Sequence, residues 1–432
     1  MLQTGFTWEG NSQLAIGVPS SAAGLSLNYE LVYEGKRSET EVLSSAKKLR
    51  YVQSYESSSN AQNTLYFGDN FDILGDLVRD PNVCGHVELI YIDPPYSTNS
   101  HFHNRKQEFA YSDTMAGARF IEFLRVRLIL MRELLSETGS IYVHLDSKMV
   151  FEMKLIMDEV FGRQNFRSMI TRKKSNPKNY SSRQFGNISD YILFYSKSKK
   201  MTFNVQYTPW TEETARKEYP YVEAGTGRRY KKVPVHAPGV RNGATGGEWR
   251  GMMPPPGKHW QYTPDKLDEF DRKGEIYWSP TGNPRRIIYL DERPGIAMQD
   301  IWMDFKDAHN QNIRITGYPT EKSLDLLKLI INASSQPGDL VLDAFAGSGT
   351  TLDAASQLNR RWIGIDNSEL AIETIKDRFS AGTKPMGDFR TGPEGTESAL
   401  LELPLRFDAK QPESVQYRIL MPDGSTNLQI FQ

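Results

Sequence analysis

The sequence predicts an α/β fold, a doubly wound and mostly parallel sheet with an inserted, irregular, basic region. Three observations carry this. Apolar strand patterns alternate with helical spacing between residues 64 and 162, and the same rhythm returns from about 320 to 380, as in a parallel sheet covered by helices. Between these stretches the rhythm fails, and residues 163–310 are rich in Gly, Pro, Lys and Arg. One strand in each half runs straight into a loop of unusual composition, "IDPPY" at 92–96 and "DAFAGSGTT" at 343–351.

Residues 1–60 read as an appendage, with a helix near 38–53 opened by Ser38 as N-cap and Glu41 three residues on. Residues 61–162 form the first half of the sheet domain. There "TLYFGD" is a short strand, "NFDILGDLV" a helix and "HVELIYID" a buried strand. Phe120, Phe123, Leu124, Leu128, Met131 and Leu135 recur at three and four residues, which predicts a long amphipathic helix with Gly139 as its stop. "SIYVHLD" and "MVFEMKLIMDEVFG" add another strand and helix. After the region 163–310, residues 311–380 supply the helix "TEKSLDLLKLIINAS", the strand "DLVLDAF", the helix "TTLDAASQLN", the strand "RWIGID" and the helix "SELAIETIKDRF". Residues 381–432 are an extension with two weak strand patterns, "VQYRIL" and "NLQIF".

Composition narrows the class. A net charge of -1, 38% hydrophobic and 11% aromatic residues in a chain of 432 argue against disorder and leave ample material for a core. The most apolar helical stretch, "FLRVRLILMRELL", is broken by Arg125, Arg127 and Arg132 and is shorter than the roughly 20 residues of a bilayer span, so no membrane partner is expected. The start lacks the basic and apolar run of a secretory signal, and Cys84 is alone; a reducing, cytoplasmic setting is expected. The balanced total hides a division. Residues 163–306 hold 26 Lys and Arg against 15 Asp and Glu, a surface that a polyanion would select.

The segment 343–351 places glycines between a buried strand and a helix, where backbone can approach a ligand and free N–H groups face it. No Gly-Lys-Ser/Thr follows, which excludes a triphosphate loop, and Leu352 stands where a dinucleotide fingerprint has its third glycine. The next strand ends in Asp366, placed to accept both hydroxyls of a ribose. A ligand with a ribose and an amino-acid portion but no pyrophosphate fits these features.

"DAFAGSGTT" with "GID" one strand later resembles the S-adenosylmethionine site of DNA methyltransferases, and "IDPPY" is similar to the catalytic motif of those that methylate exocyclic amino groups. With the Asp-Pro-Pro-Tyr segment first and the Gly-rich segment last, the chain resembles the β group of adenine-N6 DNA methyltransferases, which includes modification subunits of type III restriction systems. The resemblance implies a sheet of the S-adenosylmethionine-dependent methyltransferase type, with S-adenosylmethionine as cofactor. It places Asp343, Phe345, Ala346, Gly347, Ser348, Gly349, Thr350, Thr351 and Asp366 at the cofactor. It further places Asp69 of "YFGDN" near the cofactor adenine, and Thr320, Glu321 and Lys322 near its methionine part. It leaves room for a restriction subunit and for a homodimer as partners.

The chemistry of Asp93, Pro94, Pro95 and Tyr96 suits this reading. The exocyclic nitrogen of adenine is a poor nucleophile because its lone pair is delocalised, and two acceptors beside its hydrogens favour the pyramidal form that attacks. The Asp93 carboxylate offers one acceptor and the Pro94 carbonyl the other, with both prolines fixing φ and Tyr96 stacking on the base. The base must first swing out of the duplex. Cytosine N4 could use the same acceptors, although Asp93 rather than serine in the first position favours adenine. Methylation at cytosine C5 would need a thiolate, and Cys84 lies in an expected loop before a strand. No zinc pattern accompanies His101 and His103, so no metal is expected.

Double-stranded DNA is the expected partner of the basic region. Arg172, Lys173, Lys174, Lys178 and Arg183, with Arg228, Arg229, Lys231 and Lys232, are candidate phosphate contacts. Two rival readings are a non-catalytic DNA-binding subunit of a restriction complex and an RNA or protein amino-group methyltransferase.

Overall fold

The computed structural model describes residues 31–45, 62–95, 117–177, 183–307 and 313–386, and the backbone of the short strands Tyr55–Glu56, Ser100–His103, Phe109–Asp113, Val415–Leu420 and Thr426–Phe431. The domain is built on β1 (Gln62–Phe67), α1 (Asn70–Leu77), β2 (Val87–Ile92), α2 (Ala118–Leu134), β3 (Leu135–Leu145) and α3 (Val150–Phe161). It continues with β4 (Phe166–Lys173), β5 (Ser189–Ser196), β6 (Ile301–Trp302), α4 (Leu324–Ser334), β7 (Leu340–Asp343), α5 (Thr350–Gln357), β8 (Arg361–Asp366) and α6 (Glu369–Ala381).

These strands make one sheet in the order β1-β8-β7-β2-β3-β5-β4-β6, with Tyr55–Glu56 outside β1. The five strands from β1 to β3 pair in parallel, whereas β5 runs antiparallel to both β3 and β4. From β2 the chain crosses by α2 to β3 on one side; from β7 it crosses by α5 to β8 on the other. Strand order therefore reverses between β7 and β2, and a doubly wound sheet opens a crevice beyond the carboxyl ends at that point.

All six residues of β2 are buried, because the sheet is covered on both faces. Ile90 and Ile92 pack with α1, α2 and α3 against Leu342 of β7. Leu89 and Tyr91 point the other way, into a core formed with α4, α5 and α6. The expected N-terminal cap is present: the Glu41 carboxylate accepts from Ser38 N at 2.8 Å, and Ser38 Oγ accepts from Glu41 N at 3.2 Å, at the start of the helix Glu39–Ser45. Among the described residues no helix is long and apolar enough to cross a membrane.

Two expectations change. Gly139 does not stop the long helix, which ends at Leu134; it lies inside β3, where an added Cβ would come within 2.8 Å of the Val87 carbonyl. Glycine there permits close strand approach next to a register shift between β2 and β3. The region 163–310 also gives β4 and β5 to the main sheet, so the insertion proper lies between β5 and β6. That insertion is ordered around a four-stranded antiparallel sheet and its own core of Val235, Trp249, Trp260, Leu267, Phe270 and Ile276.

A polar line crosses the sheet from β2 to β4. Tyr91 Oη lies 2.8 Å from His144 Nδ1, and His144 Nε2 lies 3.0 Å from Asp190 Oδ2. Arg172 donates to both Asp190 oxygens at 2.8 and 2.6 Å, to the Phe305 carbonyl at 2.9 Å and to Asp307 at 2.9 Å. Burial opposes the Asp190 charge, but His144 and Arg172 outweigh it and hold its pKa far below the usual carboxylate range. Arg172 is wholly buried, so it does not present itself to a phosphate as the sequence reading expects. Removing one partner of a buried pair strands the other. Arg172→Met is expected to lower unfolding free energy by about 3–5 kcal/mol, read from the urea midpoint, whereas Arg172→Met with Asp190→Leu recovers part of the loss.

Candidate active site

At the reversal point, Asp93 and Pro95 follow β2, and the loop Ala344–Gly349 follows β7. Both open into one cavity of about 740 Å³. Pro94 is buried beside them, and Tyr96 lies outside the described residues. Asp69 after β1, Asp366 at the end of β8, and Thr320, Glu321 and Lys322 before α4 line the same cavity, with Asp343, Phe345, Ala346, Gly347, Ser348, Thr350 and Thr351. Segments 250 residues apart thus meet as the topology requires.

Backbone hydrogen bonds shape the Gly-rich loop. Ala346 N donates to the Ile365 carbonyl at 3.0 Å and Gly349 N to the Ala346 carbonyl at 2.7 Å. Gly347 and Gly349 have φ of 49° and 73°, in the left-handed region that favours glycine. Gly349 does not line the cavity; an added Cβ would lie 2.8 Å from Ile375 Cγ1 of α6, so its smallness serves helix packing.

Asp366 holds this loop as well as facing the cavity. Its Oδ2 accepts from Gly347 N at 2.8 Å and its Oδ1 from Ser368 N at 2.9 Å. Surrounding protein pushes its pKa up, against those backbone donors. Asp343 is deeper. Burial raises it to about 7, aided by the nearby charges of Asp93 and Asp366, although Phe345 N donates to it at 3.0 Å and the Thr351 hydroxyl also donates.

Two arginines that the sequence reading passed over fasten the site. Arg378 of α6 donates Nε–H to the Ser348 carbonyl at 2.7 Å, pairs with Asp353 at 3.1 Å and with Glu321, and reaches Thr350 Oγ1 at 3.1 Å. Arg127 of α2 pairs with Asp69 at 2.9 Å and with the Asn70 side chain, and lies 3.6 Å from the Phe123 ring centroid. Burial pushes its pKa down to about 10 against the pull of Asp69. Asn70 in turn donates to the Ala344 carbonyl at 2.7 Å, which ties the loop after β1 to the loop after β7. Both arginines occupy core-facing positions of their helices, Arg378 after Ala371 and Ile375 and Arg127 after Phe120 and Leu124. A charged residue on an apolar stripe was the available signal.

The three residues expected beside a methionine moiety have partners of their own. Glu321 accepts from Thr316 N at 2.8 Å and Thr316 Oγ1 at 2.7 Å as well as pairing with Arg378. Lys322 donates to Asp93, and Thr320 holds a positive φ of 58°. Asp69 caps α1, accepting from Phe71 N at 2.7 Å, and remains half exposed.

The match to known proteins follows this geometry. Residues 87–377 match the model of the DNA methylase family. The chain belongs to that family. Among DNA methylase relatives, it is 48% identical over 376 residues to the type II methyltransferase M.EcaI of Enterobacter cloacae, covering 86% of this chain and 81% of that one. It is 28% identical over 339 residues to the type III restriction-modification enzyme StyLTI Mod subunit of Salmonella typhimurium, covering 70% of this chain and 51% of the relative. The solved M1.HpyAVI–SAM complex aligns over 73% of this chain and 98% of its own, at 19% identity and a TM-score of 0.41.

In this DNA methylase, β5 starts and β4 ends at the sheet edge where β2 ends, because β3 is parallel to β2 and each following pairing is antiparallel. Lys173, Lys174 and the exposed Arg183 therefore leave the sheet at the edge that carries Asp93. Lys178 lies outside the described residues. Within the insertion several cations already have acidic or aromatic neighbours. Arg228 pairs with Asp291 and Glu292 at 2.8 and 2.9 Å, Lys231 lies 3.6 Å from Glu218, and Lys232 sits 3.5 Å from the Tyr277 ring centroid. Arg229 is half-buried at the start of its strand.

Asp343 binds its proton more tightly folded than in the unfolded chain, where its value is 3.8. Its contribution is therefore complete below pH 3.8 and is lost as pH rises through about 7. Asp343→Asn is expected to gain stability relative to the parent across that window and to hold a constant difference above it, measured by urea unfolding at stepped pH.

Proposed function

We propose that the protein transfers a methyl group from S-adenosylmethionine to the N6 amino group of an adenine swung out of double-stranded DNA. The observation that carries this reading is the shared cavity, with Asp93 on one wall and the Gly-rich loop on the other. The residues present suit the cofactor. Asp366 accepts from the backbone of Gly347, Ser368 and Asn367, and a carboxylate offers about four lone-pair sites, which leaves room for a ribose hydroxyl. Phe123 and Phe345, with ring centroids 6.1 Å apart, give an apolar wall. When bound, S-adenosylmethionine supplies an electrophilic methyl on a sulfonium.

The chain's own work is positioning. Asp93 and the Pro94 carbonyl accept the two amino hydrogens, which turns the nitrogen lone pair away from the ring. Tyr96 stacks on the extruded base. Holding the nucleophile in line needs no covalent intermediate, and such placement can supply several kcal/mol of acceleration. Lys173, Lys174 and Arg183, on the sheet edge that carries Asp93, supply phosphate contacts, so activity should fall with salt.

The family covers N6 and N4 methylation; Asp93 at the head of the Pro-Pro-Tyr segment favours adenine over cytosine. A restriction subunit belongs to the proposal because one relative is the Mod subunit of a type III restriction-modification enzyme. Purified protein with radiolabelled cofactor and genomic DNA is expected to yield label in N6-methyladenine, with Asp93→Ala and Tyr96→Ala each reducing it by at least about a hundredfold. Label recovered in N4-methylcytosine would replace the adenine assignment; label in RNA alone would remove the DNA reading.

A further inference from the structure

Lys322 donates from Nζ to Asp93 Oδ2 and, at 3.2 Å, to the carbonyl of Thr320. Lys322 and Asp93 are withdrawn from solvent, with side chains 8% and 18% exposed respectively. The turn that delivers the lysine is strained. Thr320 adopts φ of 58°, a conformation that costs a β-branched residue about 1–3 kcal/mol and persists only where surrounding contacts enforce it. Here they are identifiable. Glu321 is held by both donors of Thr316 and by Arg378, and Arg378 also grips Ser348 of the Gly-rich loop and Thr350 at the start of α5. One buried guanidinium therefore fixes the cofactor loop and the arm that carries Lys322.

We propose that Lys322 is a positioning residue for Asp93. By binding Oδ2 it restrains rotation of the carboxylate, while Glu321 and Arg378 set that carboxylate at a fixed distance from the cofactor loop. This differs from the place beside the methionine moiety that the family resemblance implies for Lys322. It rests on the reading of Asp93 as acceptor for the amine.

The test separates cofactor binding from turnover. For Lys322→Met at saturating S-adenosylmethionine and duplex DNA, kcat is expected to fall about 10- to 100-fold, the loss typical of a misplaced reacting group. The calorimetric Kd for the cofactor should change by less than about threefold, and Lys322→Arg should restore part of kcat. A Kd weakened beyond threefold, whatever kcat does, assigns the lysine to the cofactor and overturns the proposal, as does an unchanged kcat. If Lys322→Met fails to fold by circular dichroism, Lys322→Gln is measured in its place, and the same loss of kcat with retained Kd is required. Asp93→Ala is the control for the underlying reading. Activity surviving Asp93→Ala removes that reading, whereas activity lost in Asp93→Ala but intact in Lys322→Met removes the lysine's role alone.

Discussion

Everything in the catalytic half depends on the pairing of β7 with β2. Leu340, Val341 and Leu342 lie beside Val87, Leu89 and Ile90 in parallel register, and this register brings the carboxyl ends of the two strands together. Parallel strands end at the same edge, so the pairing delivers an Asp-Pro-Pro loop and a Gly-rich loop to one place. Because the crossovers from these strands leave in opposite directions, neither helix covers the space between them.

Two arginines turn this adjacency into a defined site. Burying a guanidinium is costly unless its donors are met, and both Arg127 and Arg378 meet theirs largely with groups in the loops that they hold. Arg127 joins the loop after β1 to the loop after β7 through Asn70. Arg378 joins the Gly-rich loop to the segment before α4. Loops otherwise free to shift are thereby referred to two rigid helices, the arrangement that precise positioning chemistry needs.

The sheet was legible in the sequence because its strands are short apolar runs bounded by turn residues, and because "IDPPY" and "DAFAGSGTT" place unusual residues at strand ends. The reversal between β7 and β2 follows from reading those segments as strand ends around one ligand. Pairing across the sheet was not legible. The Tyr91–His144–Asp190–Arg172 line joins four strands through residues that local patterns treat as ordinary strand members, and Arg172 sits in a run of cations that looks like a solvated tail. Gly139 misled for a similar reason, since a glycine after an amphipathic run reads as a helix stop, and only the neighbouring strand reveals that the space beside Val87 excludes a side chain. The insertion's antiparallel sheet escaped notice because its turns outweigh its short strands.

The placement of β7 and β8 late in the chain has a consequence for how the polypeptide assembles as it leaves the ribosome. β1 and β2 emerge within the first hundred residues, yet β8 and β7 lie between them in the finished sheet. Until residue 343 is synthesised, the apolar flank of β2 lacks its proper neighbour β7, and a bare flank of this kind invites pairing with other nascent chains. The intervening insertion, which builds its own core, adds little to the entropy of closing so long a gap, because that cost grows only with the logarithm of loop length. Its expense is measured instead in time, as an interval of exposure that chaperones would have to cover.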